Sequence, residues 1–137
     1  MTASVIYKGM LRCEAKHIQS GSMLETDAPT DNRGRGERFS PTDLLCVSLA
    51  TCIVTTMGIK AADMKIDLSE TTLEVIKHML PDPRRIGKIE IKIGFKPGLS
   101  ITEKDRQALE NAGDNCPVMK TLSSGTEVVV EYGWNLT

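Results

Sequence analysis

From Leu44 to Ile59 no position carries a charge, and the apolar side chains recur at helical spacing on two stripes. Leu45, Leu49, Cys52 and Thr56 share one, and Cys46, Ala50, Ile53 and Met57 share the other. A helix that is apolar on more than one face is a buried helix. Its start is marked by Ser40 as N-cap, Pro41 at the first helical position and Asp43 where a capping-box acid reaches back. Running to about Ala62, it would be roughly 30 Å long, enough to form the core of a small domain with sheets packed around it. The run falls short of the roughly 20 apolar residues of a membrane span and is rich in Ser and Thr, so no membrane role is expected.

The flanking pattern predicts strands. Ser4 to Ala15 reads as one strand with a bulge or bend at Gly9, followed by a turn at Gln19 to Ser22 and a return strand from Ser22 to Asp27. Ala28 to Arg38, with its glycines, proline and arginines, reads as a flexible loop. After the helix, Leu73 to Leu80 is a strand, Pro81 to Arg85 a turn and Ile86 to Lys96 a strand. There Ile89, Ile91, Ile93 and Phe95 alternate with Glu90, Lys92, Gly94 and Lys96. Thr102 caps a second helix with Asp105 at the capping-box position, Ala108, Leu109 and Ala112 on its apolar face and Gly113 as its stop. Asn115-Cys116-Pro117 opens a short third helix to about Leu122, and Thr126 to Trp134 is a last strand.

The expected class is α+β: antiparallel sheets around a long buried central helix, in one domain over residues 1–137. One small chain barely covers such a helix on all sides, whereas exchange of hairpins between two subunits would. That argues for a dimer.

Composition removes several functions. The net charge of −1 and the aromatic content of 4% give neither the basic surface nor the stacking platforms of a nucleic-acid binder, Arg33, Arg35 and Arg38 being the one basic cluster. The four cysteines, Cys13, Cys46, Cys52 and Cys116, contain no Cys-x-x-Cys, and only His17 and His78 could add imidazoles, which argues against a structural zinc site. Met1 to Met10 is not a basic region followed by an apolar run, so no signal peptide is expected. The thiols then belong in a reducing, cytoplasmic compartment without structural disulfides.

Cys46 and Cys52 lie on different faces of the helix and about 9 Å apart along it, too far to pair. Cys46 reads as a small apolar core residue. Cys116 precedes proline at a helix start, where free backbone N–H groups favour a thiolate; on local sequence it reads equally as an activated thiol or a packed cap. Cys52 would be a core residue unless a cation or donor compensates its thiolate. Arg12 on the first strand and Arg33, Arg35 or Arg38 on the loop are the candidates. Cys13 reads as a sheet residue, and His17 and His78 as surface residues.

The stretch Ser40-Pro41-Thr42-Asp43-Leu44-Leu45 through Ala50-Thr51-Cys52, together with Asn115-Cys116-Pro117-Val118, resembles the OsmC/Ohr family. There a Ser/Asn-Pro-x-x-Leu helix start precedes a helical cysteine, and a second cysteine followed by proline comes late. The resemblance implies an intertwined α+β homodimer with two sites at the subunit interface. It implies thiol-dependent reduction of small hydrophobic organic hydroperoxides, with Cys52 as the peroxidatic thiolate, Cys116 as the resolving cysteine and Arg12 as the positional match for the activating arginine. An external dithiol, of lipoyl type in the family, would recycle the pair, with no metal or bound organic cofactor.

This chain departs from the pattern at two places. Thr42 stands where the family's peroxidases carry glutamate; Asp43 is one residue later, about 100° round the helix. Val118-Met119 replaces the Tyr-Ser that follows Cys-Pro in the dedicated organic-hydroperoxide branch. Both place the chain in the broader OsmC-like branch. Beside the peroxidase stand two other readings: a small-molecule-binding or redox-responsive module on the same fold, and a structural dimer whose thiols only pack.

Overall fold

The computed structural model describes residues 1–134; positions 135–137, the end of the expected domain, lie outside the described residues. The architecture is α+β, with two three-stranded sheets and one long helix. The chain falls into two compact units, Met1–Leu45 and the segment that begins at Cys46.

The first unit is a meander of β1 (Ala3–Gly9), β2 (Arg12–His17) and β3 (Met23–Asp27), antiparallel throughout. The single strand expected over Ser4 to Ala15 is therefore two. The chain reverses at Gly9, Met10 and Leu11, all with positive φ (82°, 52° and 65°). Such a turn usually advertises itself with Asn-Gly, and Met-Leu gives no such sign. The loop after β3 is irregular, as expected, but internally bonded rather than loose. Gly34 and Asn32 donate to Pro29 O at 2.9 Å, and Gly36 donates to Ala28 O at 3.3 Å, around a 3-10 turn at Thr30–Asn32. Gly34 is required: a Cβ there would sit 1.6 Å from Ala28 O.

α1 (Pro41–Asp63) starts as its sequence predicts. Ser40 Oγ accepts from Asp43 N at 3.0 Å, and Ser40 N donates to Asp43 Oδ2 at 2.9 Å, a complete capping box. By length and composition alone this helix could cross a membrane. Its buried stripe, Cys46, Leu49, Ala50, Ile53, Met57 and Ala61, belongs to the core of the second unit with Ile89, Ile91, Ile93, Phe95, Leu109 and Cys116. As expected for one small chain, the helix is not covered all round: Leu45, Ser48, Thr51, Thr55 and Ile59 are exposed. The hydroxyls on that stripe satisfy themselves. Thr51 donates to Ser48 O at 3.1 Å and Thr55 to Thr51 O at 2.8 Å, so this face asks for no polar partner.

In the second unit β4 (Thr72–Leu80) and β5 (Arg85–Gly94) form an antiparallel hairpin, and β6 (Glu127–Gly133) runs parallel to β5. The sheets are thus antiparallel except for this pair. A parallel neighbour needs a crossover, supplied by α2 (Glu103–Asp114) and α3 (Pro117–Thr121). Thr102 and Asp105 form the predicted capping box of α2.

Gly113 does not stop α2 but lies within it. A Cβ at this position would come within 2.9 Å of Tyr132 Oη and 3.1 Å of both Ile53 Cγ2 and Met57 Cγ. The glycine lets α2 approach α1 and β6 closely. Gly113→Ala is expected to destabilise the protein by about 1–3 kcal/mol through overpacking, read as a lower denaturation midpoint at unchanged slope. An unchanged midpoint would show that the contact relaxes freely.

Candidate functional site

Cys52 is half-buried on the flank of α1 and packs against the core. Cys116 is fully buried at the N-cap of α3, with φ −64° and ψ 155°. Its Sγ accepts from Met119 N at 3.4 Å, and Pro117 holds the first helical position. Cys52 is close enough to Cys116 to act on its thiol, and both are free cysteines. Residues far apart in sequence are thus brought together inside one unit.

The charge state of Cys116 corrects an expectation. The helix-start amide does point at the sulfur, but burial outweighs it and raises the thiol's pKa, and the neighbouring Cys52 raises it further. A helix of five residues offers too small a dipole to reverse this. Cys116 therefore keeps its proton at neutral pH.

Arg12 lies in the first unit and is held by carboxylates. Its Nε donates to Asp27 Oδ1 and its Nη2 to Asp27 Oδ2, both at 2.7 Å, and Nη2 also meets Glu37 Oε2 at 3.1 Å. Asp27 is 1% exposed. The two residues are direct cross-strand partners, Arg12 on β2 and Asp27 on β3. The register of the hairpin turning at Gln19 to Ser22 is the signal in the sequence that sets this pair face to face. Asp43, by contrast, spends its carboxylate on the cap of α1. Of the loop arginines, Arg38 pairs with Glu25 at 3.3 Å, while Arg33 and Arg35 are exposed.

The Arg12 guanidinium holds the Asp27 carboxyl below the usual carboxylate range. A depressed folded-state pKa adds stability that is fully present above the unfolded value, about 4, and disappears as pH falls through the lower folded value. Acid titration should therefore erode the first unit below about pH 4. Asp27→Asn should flatten that limb; an unaltered limb would show that other carboxylates set it.

The remaining candidates are placed as ordinary structure. Cys46 is buried in the core, and Cys13 is half-buried mid-sheet between Tyr7 and Thr26. His17 bonds Ser20 Oγ at 2.6 Å, and His78 sits 3.4 Å from Glu90, both on the surface. Among the described residues no group of three or more His, Cys, Asp or Glu is placed to hold a metal ion.

The family model for OsmC-like protein matches residues 34–131. A Psychrobacter arcticus protein, provisionally named for osmotic stress induction and detoxification response, is 45% identical with a TM-score of 0.91, over 96% of this chain and 95% of that one. An organic hydroperoxide resistance protein OsmC of Legionella pneumophila shares the fold at 14% identity and a TM-score of 0.74, over 98% of each chain. One of Elizabethkingia anophelis does so at 18% and 0.71, over 98% and 97%. No curated protein sequence matches significantly. The extent of the family match and the 45% identity over nearly the whole length lead to one conclusion: this chain belongs to the OsmC-like family.

Proposed function

We propose that the protein is a thiol-dependent peroxidase that reduces organic hydroperoxides to alcohols through Cys52 and Cys116. The observation that carries this reading is the pairing of the two thiols within one unit, one half-buried and one fully buried. The Cys52 thiolate attacks the outer peroxide oxygen and the O–O bond breaks. The alkoxide takes a proton and leaves as alcohol, and Cys52 becomes a sulfenic acid. The Cys116 sulfur then attacks Cys52 Sγ, its proton and the sulfenic acid hydroxyl leave as water, and a Cys52–Cys116 disulfide remains. An external dithiol, such as a dihydrolipoyl group, restores both thiols by exchange and is itself oxidised. The cycle draws on no metal or bound organic cofactor, and free thiols of this kind suit a cytoplasmic setting. In this reading Arg12, held by Asp27, is the positional match for the family's activating arginine.

The working form in this reading is a homodimer. Val5, Ile6 and Tyr7 are consecutive on β1 and each about 60% exposed, and on α1 Ile59 and Leu45 are exposed at 70% and 41%. Consecutive strand residues point to opposite faces, so both faces of the first sheet present apolar groups that a second copy would cover.

A second reading is a binding module. A cleft of ≈ 620 Å³ in the first unit, lined by Met23, Leu24, Glu37, Arg38 and Phe39, favours it, and Thr42 in place of the family's glutamate is in its favour too. Stopped-flow mixing with cumene hydroperoxide separates the two. The peroxidase reduces it far faster than free cysteine does, whereas a binding module reacts no faster.

A further inference from the structure

Asp114 stands where a carboxylate is out of place. It is the last residue of α2, at the negative end of the helix dipole. It is held there by Tyr132 of β6, whose hydroxyl donates to Asp114 Oδ1 at 2.6 Å and also contacts Glu110 O at 3.3 Å. A phenol donating to a carboxylate at that length is a charge-assisted hydrogen bond. Burial and the neighbouring carboxylate push the phenol's pKa up, so it remains a donor across any working pH.

The tie is aimed at one part of the chain. Asp114 is followed by Asn115 and then by Cys116, whose amide donates back to Gly113 O at 3.2 Å. Everything else around the tie stiffens it. Trp134 Nε1 donates to Glu110 Oε1 at 2.8 Å, and the Trp134 ring stacks on Phe95 of the sheet's end at 3.6 Å. Gly113 leaves room for the Tyr132 hydroxyl, which a methyl group there would meet at 2.9 Å. A sequence that breaks a local electrostatic rule and builds a partner for the offending group is using that group.

We propose that Tyr132 and Asp114 are positioning residues that hold the α2–α3 elbow so that the Cys116 sulfur stays within bonding reach of Cys52. The inference rests on the two-cysteine peroxidase reading and adds to it a division of labour: the tie serves disulfide closure and has no part in the attack on peroxide.

The test resolves the two steps in single turnover. Sulfenic acid on Cys52 is trapped with dimedone, and closure is followed by quenched non-reducing mass spectrometry. Thermal unfolding is recorded for every variant. Tyr132→Phe keeps the ring and removes only the hydroxyl. It should leave sulfenic acid formation unchanged and slow closure by about tenfold or more, as expected for losing a hydrogen bond that fixes a reacting group. Asp114→Ala should match it, Asp114→Asn should close near the wild-type rate because its amide oxygen still accepts, and Tyr132→Phe/Asp114→Ala should be no slower than either single variant. A lower melting temperature alone would not separate the two steps, so the split is the signature of positioning. Wild-type closure in Tyr132→Phe overturns the proposal while leaving the peroxidase standing. If the wild type forms no sulfenic acid with hydroperoxide, the peroxidase reading fails. Closure driven by diamide then decides: slowing in Tyr132→Phe upholds the tie, and an equal rate overturns it.

Discussion

Cys52→Ser should bring hydroperoxide reduction down to background, a loss of at least about a thousandfold, because a serine hydroxyl at neutral pH has neither the ionisation nor the nucleophilicity of a thiolate. Cys116→Ser should behave differently. It should consume one equivalent of peroxide and then stall, with sulfenic acid accumulating on Cys52 and moving on to sulfinic acid under excess oxidant. The structure gives the reason for the asymmetry. Cys116 is fully buried and keeps its proton, which suits a thiol that waits for a neighbour's oxidation. Cys52 is half-buried on the helix flank. Rapid-quench peroxide assays with mass spectrometry on both variants would check this. Equal and complete loss in both would mean the two sulfurs act as one unit from the first step. A residual turnover in Cys52→Ser would place the reacting sulfur elsewhere.

Removing either half of the Arg12–Asp27 pair should be the most damaging change in the first unit. Two parallel hydrogen bonds at 2.7 Å join the groups, and Asp27 has almost no access to water. Asp27→Ala leaves a guanidinium with only the longer contacts to Glu37 and Glu25, at 3.1 and 4.0 Å. Arg12→Ala leaves a buried carboxylate stripped of its paired guanidinium, with the charge of Arg35 and the Glu37 N–H as lesser compensation, the costlier of the two orphans. Both should unfold well below the wild-type temperature and show a reduced peroxide rate. Replacing both, as Arg12→Met with Asp27→Leu, should recover much of the stability, since a buried ion pair adds little over well-packed apolar groups. The same double variant should recover none of the rate. Recovery of both would assign Arg12 a purely structural role. Differential scanning calorimetry beside the peroxide assay makes the distinction.

What the chain discloses by itself follows from how local each signal is. The capping boxes at Ser40–Asp43 and Thr102–Asp105 are three-residue relations and were readable directly. The alternation of Ile89, Ile91, Ile93 and Phe95 likewise marked β5 from its own spacing. The turn at Met10-Leu11 was not readable, because its left-handed backbone is imposed by pairing of the strands on either side and not by its own side chains. The parallel placement of β6 depends on where α2 and α3 lead the chain, which no local pattern encodes. For the candidate site, the Cys-Pro motif pointed to Cys116, but its raised pKa comes from long-range burial. Gly113 read as a helix stop by composition and proves to be a point of close approach, a property of three distant neighbours.

The most direct measurement treats the fully reduced wild-type protein with one equivalent of cumene hydroperoxide, quenches within seconds and maps the peptides without reduction. The account predicts loss of two hydrogens from the chain, a Cys52–Cys116 crosslink as the dominant product and cumyl alcohol in equal amount. Unreacted peroxide beside intact thiols, or oxidation at Cys13 or Cys46 with no such crosslink, would contradict it.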